Sequence, residues 1–126
     1  MCHLDKQERL LTKMKKALRL AGGTHELSDV VDALKEGRMQ SFATENAMVV
    51  TQIVQHPRKR ELNVFLAFGD LDEVMSMQPQ IADFGRQNGC EFMVMSGRTG
   101  WMKVLPKHGW SQVGVTYALP LEKSDG

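Results

Sequence analysis

The chain has 126 residues, of which 42% are hydrophobic and 25% charged, and its formal net charge is +1. This composition is typical of one folded domain, with no stretch of the about 18 apolar residues that a membrane span requires. We therefore expect a single domain over residues 1–126, with a helical part over 1–37, a sheet core over 39–119 and a tail over 120–126.

The charges are distributed unevenly along the chain. Residues 1–60 contain 11 Lys and Arg against 7 Asp and Glu, whereas residues 61–126 contain 5 against 8. The basic excess lies mainly in the first predicted helix, which has no aromatic residue. A nucleic-acid interface needs stacking or base-reading side chains beside its basic stripe. We therefore expect a solvated face, or a contact for a protein partner, and no nucleic-acid binding.

Cysteine and histidine residues show no pattern of a metal site. Cys2 and Cys90 are far apart, and the four histidines are scattered. No metal site is expected, because none of these residues has neighbours at ligand spacing. This cysteine usage is typical of a reducing compartment, and the N-terminus lacks the apolar segment of a signal peptide. These observations predict a cytoplasmic protein.

Two helices are predicted before the first strand. Apolar residues recur at helical spacing over residues 4–21, and Gly22-Gly23 ends that helix. Thr24 is the expected N-cap of a second helix over 25–36, which Gly37 ends. The apolar stripe of the first helix is predicted to contain Leu4, Leu10, Leu11, Met14, Ala17, Leu18 and Ala21.

Three strands follow, over residues 39–43, 47–55 and 60–68, and they are rich in β-branched and aromatic residues. The turns between them are short, which predicts an antiparallel meander. Simple alternation along the third strand places four apolar residues on one face. These are Leu62, Val64, Leu66 and Phe68.

A crossover unit comes next in the sequence. Asp70 is a good N-cap, and Glu73 lies three residues later, as in a capping box. Pro79 must kink or divide the helix that begins there, and Gly89 ends it. A short strand over 91–96 follows. Such a strand–helix–strand unit makes its two strands parallel.

A short helix over 100–107 and a last strand over 112–119 complete the predicted elements. The whole order predicts an α+β fold with a mixed sheet. This sheet combines an antiparallel meander with one parallel pair, and it is accompanied by two N-terminal helices and two crossover helices.

The order of elements over residues 39–119 resembles the core of the GNAT N-acetyltransferases, and Gly109-Trp110 is similar to the pair that opens a late strand in that family. In the family the two parallel strands splay apart, and the pantetheine of acyl-CoA adds to the splayed strand. The pyrophosphate lies at the N-terminus of the following helix. The resemblance implies acetyl-CoA as a possible cofactor, with contacts from Leu66, Phe68, Gly69, Asp70, Leu71 and Arg98.

Four short stretches, residues 37–40, 57–60, 67–73 and 97–101, also resemble small GNAT-like proteins of tailed bacteriophages. Such proteins are often encoded among virion and morphogenesis genes. This resemblance implies a non-catalytic structural or assembly component, located in the host cytoplasm or in the virion. Its partners would be phage structural proteins or further copies of the same chain.

The cofactor loop departs from the family pattern. The family carries Q/R-x-x-G-x-G/A, whereas this chain has Gly69 followed by Asp70, Asp72 and Glu73. Three carboxylates would repel a pyrophosphate, and an Asp N-cap would occupy an N–H group that a phosphate uses. The hypothesis that follows is a loop satisfied internally, with Arg98 as a possible source of compensating charge.

An alternative function is an acetyl-CoA-dependent N-acetyltransferase acting on an unidentified amine. Direct transfer needs a base for the amine and an acid for the thiolate. The resemblance implies Tyr117 as the acid, and Glu61 is a candidate base, with His56 as a further candidate in the preceding turn. Each residue also has a purely structural interpretation: Tyr117 as a half-buried aromatic of a strand, Glu61 as a surface carboxylate and His56 as a turn residue. The acidic loop favours the non-catalytic role.

Overall fold

The structure is a computed structural model that describes residues 2–20, 23–96, 101 and 103–121. The chain divides after Ser96 into two compact units. Within the described residues, no helix has the length and apolarity of a bilayer span. The single domain expected from the sequence stays a prediction.

Two helices, α1 (Cys2–Leu20) and α2 (Leu27–Lys35), precede the sheet as predicted. Three residues of α1, Met14, Ala17 and Leu18, are at most 4% exposed, and they join the core. Leu11 is 40% exposed, so the buried stripe of α1 is narrower than predicted at that residue.

The predicted N-cap of α2 is wrong. The N-cap residue is Glu26, whose N–H donates to Asp29 Oδ2 at 2.8 Å. The Thr24 hydroxyl lies 2.8 Å from His25 Nδ1 instead. Thr24 therefore bonds to its neighbour, and the helix begins two residues later than expected.

Four strands form one sheet in the order β1-β2-β3-β4. The pairs β1–β2 and β2–β3 are antiparallel, and the pair β3–β4 is parallel. The mixed sheet and the accompanying helices confirm the predicted α+β fold class. The strands are β1 (Gln40–Ala43), β2 (Ala47–Gln55), β3 (Arg60–Gly69) and β4 (Phe92–Met95).

A bulge interrupts β3 at Phe65. Leu66 pairs with Val50 and Val64 pairs with Thr51, so Phe65 is an extra residue opposite β2. Directly paired residues share a face of the sheet, and successive residues of β2 point to opposite faces. Val64 and Leu66 therefore lie on opposite faces of the sheet.

This bulge contradicts the prediction of four apolar residues on one face of β3. Leu62 faces α4, because a Cβ placed at Gly85 would lie 3.2 Å from Leu62 Cδ2. Leu66 and Phe68 face the other way, into the core that they share with α1 and α2. All four residues, Leu62, Val64, Leu66 and Phe68, are still buried, because both faces of the sheet are covered along β3.

The crossover contains two helices, α3 (Leu71–Ser76) and α4 (Gln78–Gln87). Pro79 lies in the first turn of α4, where the missing N–H needs no intrahelical partner. The predicted helix is therefore divided at Met77, which is the C-cap of α3 and the N-cap of α4.

Arg60 fixes the end of the crossover, just before β4, to the start of β3. Its Nη1 donates to the Asn88 carbonyl at the end of α4 at 2.5 Å, and its Nε donates to Gln55 Oε1 at 3.0 Å. The Arg60 carbonyl accepts from the Glu91 N–H at 2.9 Å. A cation at a helix C-terminus also interacts favourably with the exposed carbonyls.

In the second unit, two sequence predictions are wrong. The short helix predicted over 100–107 is a 3₁₀ helix over Leu105–His108, with residues 100 and 102 outside the described part. Residues 111–121 form no strand, so the strand predicted over 112–119 is absent from this described segment. A strand requires a hydrogen-bonded neighbour, and the segment has none among the described residues.

We expect Gly69→Ala to lower the free energy of unfolding by at least about 3 kcal/mol in urea titrations. Gly69 has φ +104°, and a Cβ there would lie 2.1 Å from the Asn46 carbonyl oxygen. The control is Gly37→Ala, since Gly37 has φ +79° with no atom within 4 Å of its Cβ position. Backbone strain alone costs about 1–2 kcal/mol there. Equal losses in the two variants would contradict the proposed steric clash.

Candidate functional site

The C-terminal half of β3 has an open edge. The parallel ladder runs only from Glu61–Phe92 to Val64–Met95, although β3 continues to Gly69. Among the described residues, no strand pairs with β3 on that side beyond Val64. Main-chain groups there are placed to bond a ligand that adds as a strand.

The candidate cofactor residues on this edge would act through their main chain. Leu66 and Phe68 are 5% and 8% exposed, and their side chains lie in the core with α1 and α2. Leu71 is 37% exposed at the start of α3. The structure thus brings Leu66, Phe68, Gly69, Asp70 and Leu71 together at one end of β3, and Arg98 lies outside the described residues.

Asp70 is the N-cap of α3, as the sequence predicts. Its Oδ1 accepts from the Glu73 N–H at 3.1 Å. The reciprocal bond of the predicted capping box is missing, because Glu73 Oε1 accepts from the Asn46 N–H at 3.2 Å. The Asp70 N–H donates to the Asn46 carbonyl at 2.9 Å. The turn between β1 and β2 therefore supplies the second half of the cap.

These contacts occupy the position where the GNAT resemblance places a pyrophosphate. The N–H groups of Asp70 and Glu73 already have partners within the chain. The space that Gly69 leaves open is filled by Asn46 and Ala47. The expectation of an internally satisfied loop is thus met at these residues, and they do not form a phosphate cradle.

The pKa of the Glu73 carboxyl lies below its ordinary value of 4.5. The largest cause is the Thr44 hydroxyl, which lowers the pKa. The Asn46 groups and the Lys13 cation also lower it, whereas removal from water raises it. The Thr44 hydroxyl is buried and meets no partner at strict hydrogen-bond geometry. Its effect on Glu73 is therefore that of a nearby dipole rather than of a well-formed hydrogen bond.

Glu61 and His56 form a polar pair near the start of β3. His56 Nε2 lies 2.8 Å from Glu61 Oε1, and the Glu61 side chain is only 14% exposed. Because of the bulge, Glu61 and Asn63 lie on the same face of the sheet as Phe65 and Leu66. Glu61 is therefore a mostly buried carboxylate on the face that α1 and α2 partly cover.

An open cleft of about 430 Å³ lies between the end of α1 and the start of α2. Its lining includes Lys15, Arg19 and His25. The His25 ring packs edge-on against Phe65, with ring centroids 4.7 Å apart. The cleft therefore adjoins the bulge of β3.

Tyr117, the candidate acid, is in the second unit, and its side chain is 89% exposed in a segment without regular secondary structure. The interpretation of Tyr117 as a half-buried strand aromatic is therefore wrong. The structure brings Glu61 and His56 together in the first unit.

Three residues of the site were missed in the sequence. Thr44 and Asn46 lie in the turn that contacts α3, and Lys13 acts on Glu73 from α1. The polar residues of the β1–β2 turn were a signal that the sequence offered. In an antiparallel meander this turn lies beside the end of β3, because the start of β2 pairs with the end of β3. Lys13 gave no signal, because its position depends on how α1 packs.

No protein-family model matches the chain, and no curated protein matches it. Solved structures do match it. An acetyltransferase of Trypanosoma brucei has a TM-score of 0.61 at 13% identity, covering 88% of this chain and 94% of that one. A predicted acetyltransferase of Clostridium acetobutylicum with acetyl-CoA has a TM-score of 0.65 at 10% identity, covering 89% and 88%.

A third similar structure is the glucosamine-6-phosphate N-acetyltransferase of Arabidopsis thaliana. Its TM-score is 0.59 at 11% identity, and the match covers 87% of this chain and 92% of that one. The fold of this chain is that of the GNAT acetyltransferases. In the GNAT fold the open edge of β3 and the start of α3 are the positions that the sequence resemblance assigned to acyl-CoA.

The low pKa of Glu73 makes a testable prediction about acid stability. A carboxyl whose folded-state pKa is depressed stabilises the fold fully above its ordinary value of 4.5, and this contribution is lost as the pH falls through the folded-state pKa. We expect Thr44→Val to raise the pKa of Glu73 towards 4.5 in a carbon-detected NMR titration.

Glu73→Gln is the control for this titration, because it removes the titrating group and should flatten this part of the stability profile below pH 4.5. An unchanged Glu73 pKa in Thr44→Val would refute the role of the Thr44 hydroxyl.

Proposed function

We propose that this chain is an acetyl-CoA-dependent N-acetyltransferase that acts on an amine. The observation that carries the proposal is the open edge of β3 from Phe65 to Gly69, in the fold of acetyltransferases. The mostly buried carboxylate of Glu61 lies near the start of the same strand. Neither feature is needed to stabilise the sheet, since further strand pairing would bury the edge and a neutral residue would be easier to bury.

Acetyl-CoA would supply the acetyl thioester. The residues of this chain fit only one part of the cofactor, its pantetheine arm. The main chain of residues 65–69 suits the pantetheine arm, which carries amide groups that pair like a strand. The loop at Gly69 and Asp70 does not suit the diphosphate, because its N–H groups at Asp70 and Glu73 are already bonded. Most of the affinity is therefore expected to come from the pantetheine arm.

Glu61 would take the proton from the attacking amine. Its Oε1 lies 2.8 Å from His56 Nε2, which fixes the side chain, and a carboxylate held in place near the cofactor strand is the kind of group that serves as a general base. A negative charge at this position also attracts an ammonium ion before it loses its proton. Tyr117 as the acid and Arg98 as a cofactor contact stay predictions.

A second candidate function is a non-catalytic component of an assembly. The observation that favours it is the close packing of Gly69 against Asn46 and Ala47, which fills the expected phosphate position. A chain that had lost cofactor binding would have no need to keep this position open. The bacteriophage origin suggested by the four short stretches stays a prediction.

The first test is isothermal titration of the purified protein with acetyl-CoA, S-acetylpantetheine and adenosine 3′,5′-diphosphate. We expect the two thioesters to bind with affinities within about tenfold of each other, a difference of about 1.4 kcal/mol. The nucleotide should bind much more weakly, because the loop offers its phosphates few free N–H groups.

No heat from either thioester at about 1 mM, with the protein folded, would refute the acetyltransferase and leave the assembly role. Strong binding of the nucleotide alone would show that another surface holds the phosphates, and it would contradict our assignment of affinity to the pantetheine arm.

The second test concerns Glu61, with the best acceptor from a panel of polyamines, amino sugars and lysine peptides. We expect Glu61→Gln to lower kcat by about 100-fold or more, the usual contribution of a general base, while the acetyl-CoA Kd stays unchanged. The matched control is Glu91→Gln, because Glu91 is an exposed carboxylate just before β4. Equal rates for the Glu61 and Glu91 variants would eliminate Glu61 as the base.

A further inference from the structure

The open cleft between the end of α1 and the start of α2, the α1–α2 cleft, combines apolar and basic side chains in its lining. Leu18 is 4% exposed and Leu27 is half-buried, whereas Lys15 and Arg19 are both exposed. Neither cation has an ion-pair partner among the described residues. Glu26 is the one acid among the described lining residues, so two cations and one carboxylate give a formal charge of +1. Such a lining suits a small molecule with a carbon chain and an anionic end.

The other acids of α2 lie away from the α1–α2 cleft. Asp29, Asp32 and Glu36 line a second cleft, and His25 is the one lining residue that both clefts share. The sequence has no acid between Arg9 and His25, so α1 adds none from the other side. Acidic and basic side chains are thus segregated, and the field in the α1–α2 cleft favours an anion.

His25 connects the α1–α2 cleft to the bulge of β3. Its ring packs edge-on against Phe65, with ring centroids 4.7 Å apart, and its Nδ1 lies 2.8 Å from the Thr24 hydroxyl. When that hydroxyl donates to Nδ1, the ring hydrogen is on Nε2, which can then donate to a ligand. Glu61 lies on the same face of the sheet as Phe65 and about 13 Å away along the strand. All of these residues belong to the first unit.

We propose that the α1–α2 cleft binds an anionic group of the acceptor, a carboxylate or a phosphate, while the amine of the same molecule lies beside Glu61. The inference rests on the acetyltransferase proposed above and names the class of its acceptor. Arg19 provides a planar pair of donors and Lys15 a point charge, and both groups bind either anion.

The geometry restricts the acceptor further. Its amine and its anionic group must lie at opposite ends of a carbon chain, because the sites for them are separated by about the distance from Glu61 to Phe65. A polyamine is a poor acceptor in this arrangement, since its second ammonium group would be repelled by Lys15 and Arg19.

Binding is tested without acetyl-CoA, by isothermal titration of the full-length protein at low salt with 6-aminohexyl phosphate, 6-aminohexanoate and 6-aminohexanol. We expect both anions to bind at least about tenfold more tightly than the alcohol, because only they form charge-assisted contacts. The double variant Lys15→Gln/Arg19→Gln should lose this preference. The matched control is Arg9→Gln/Lys16→Gln, which removes the same two kinds of charge from exposed positions of α1 outside the cleft and should keep it.

Acetylation with acetyl-CoA then tests the role of the cleft in the reaction. We expect 6-aminohexanoate to exceed 6-aminohexanol in kcat/KM by at least about tenfold, mainly through KM, because the cleft lies away from the reacting atoms. The shorter 2-aminoethyl phosphate should show no such advantage over ethanolamine, since it cannot extend from Glu61 to the cleft.

The outcomes separate this inference from the function on which it rests. Equal binding and equal acetylation of the anions and the alcohol would overturn the inference and leave the acetyltransferase in place. A preference that survives in Lys15→Gln/Arg19→Gln, or that is lost equally in Arg9→Gln/Lys16→Gln, would also overturn it, because the preference would then not depend on the cleft. Preferred binding of the anions without acetyl transfer to any amine would support the anion site and refute the acetyltransferase.

Discussion

The extra residue at Phe65 determines how the two faces of the sheet are used. Before the bulge, the even-numbered residues of β3 face α4, and after it they face α1 and α2. One strand can therefore contribute to both cores and still place Glu61 among polar neighbours on the helix-covered face. The parallel ladder also ends next to the bulge, at Val64. The open edge thus begins where β3 changes its direction, which is the local effect expected of a bulge.

The contact between the β1–β2 turn and α3 restricts what this fold can bind. Asn46 accepts from the Asp70 N–H and donates to Glu73, so the first turn of α3 is completed by a turn from elsewhere in the sheet. An anion at this place would have to displace those bonds and would meet the acidic side chains. Pantetheine needs none of these groups. In the proposed acetyltransferase, the open edge of β3 would therefore hold the pantetheine arm, whereas the N–H groups of Asp70 and Glu73 would not hold the diphosphate.

Periodicity and turn residues were enough to predict the α+β class, the strand order and the cap at Asp70, because these depend on local sequence. The four apolar residues of β3 were wrongly assigned to one face. The bulge at Phe65 is not visible in the sequence, because apolar residues occur on both sides of it when both faces of the strand are buried. The cap of α2 was misassigned because Thr is a favoured N-cap residue and Glu is not, whereas in the structure Glu26 begins the helix through the bond from its N–H to Asp29. The strand over 112–119 was predicted because apolar residues alternate there with small or polar ones. Such a pattern does not show which strand would pair with the segment through hydrogen bonds. Lys13 beside Glu73 depends on tertiary packing alone.

Arg60 has a consequence for the kinetics of folding. The parallel pair closes a loop of 30 residues between Arg60 and Glu91, and the length-dependent entropy of that closure is about 3 kcal/mol. Local pairing of β2 with β3 can form first, because its turn is short. The bonds from Arg60 to Asn88 and Glu91 exist only after closure. They therefore slow the reopening of the crossover far more than they speed its formation, and Arg60 acts mainly on the lifetime of the native sheet.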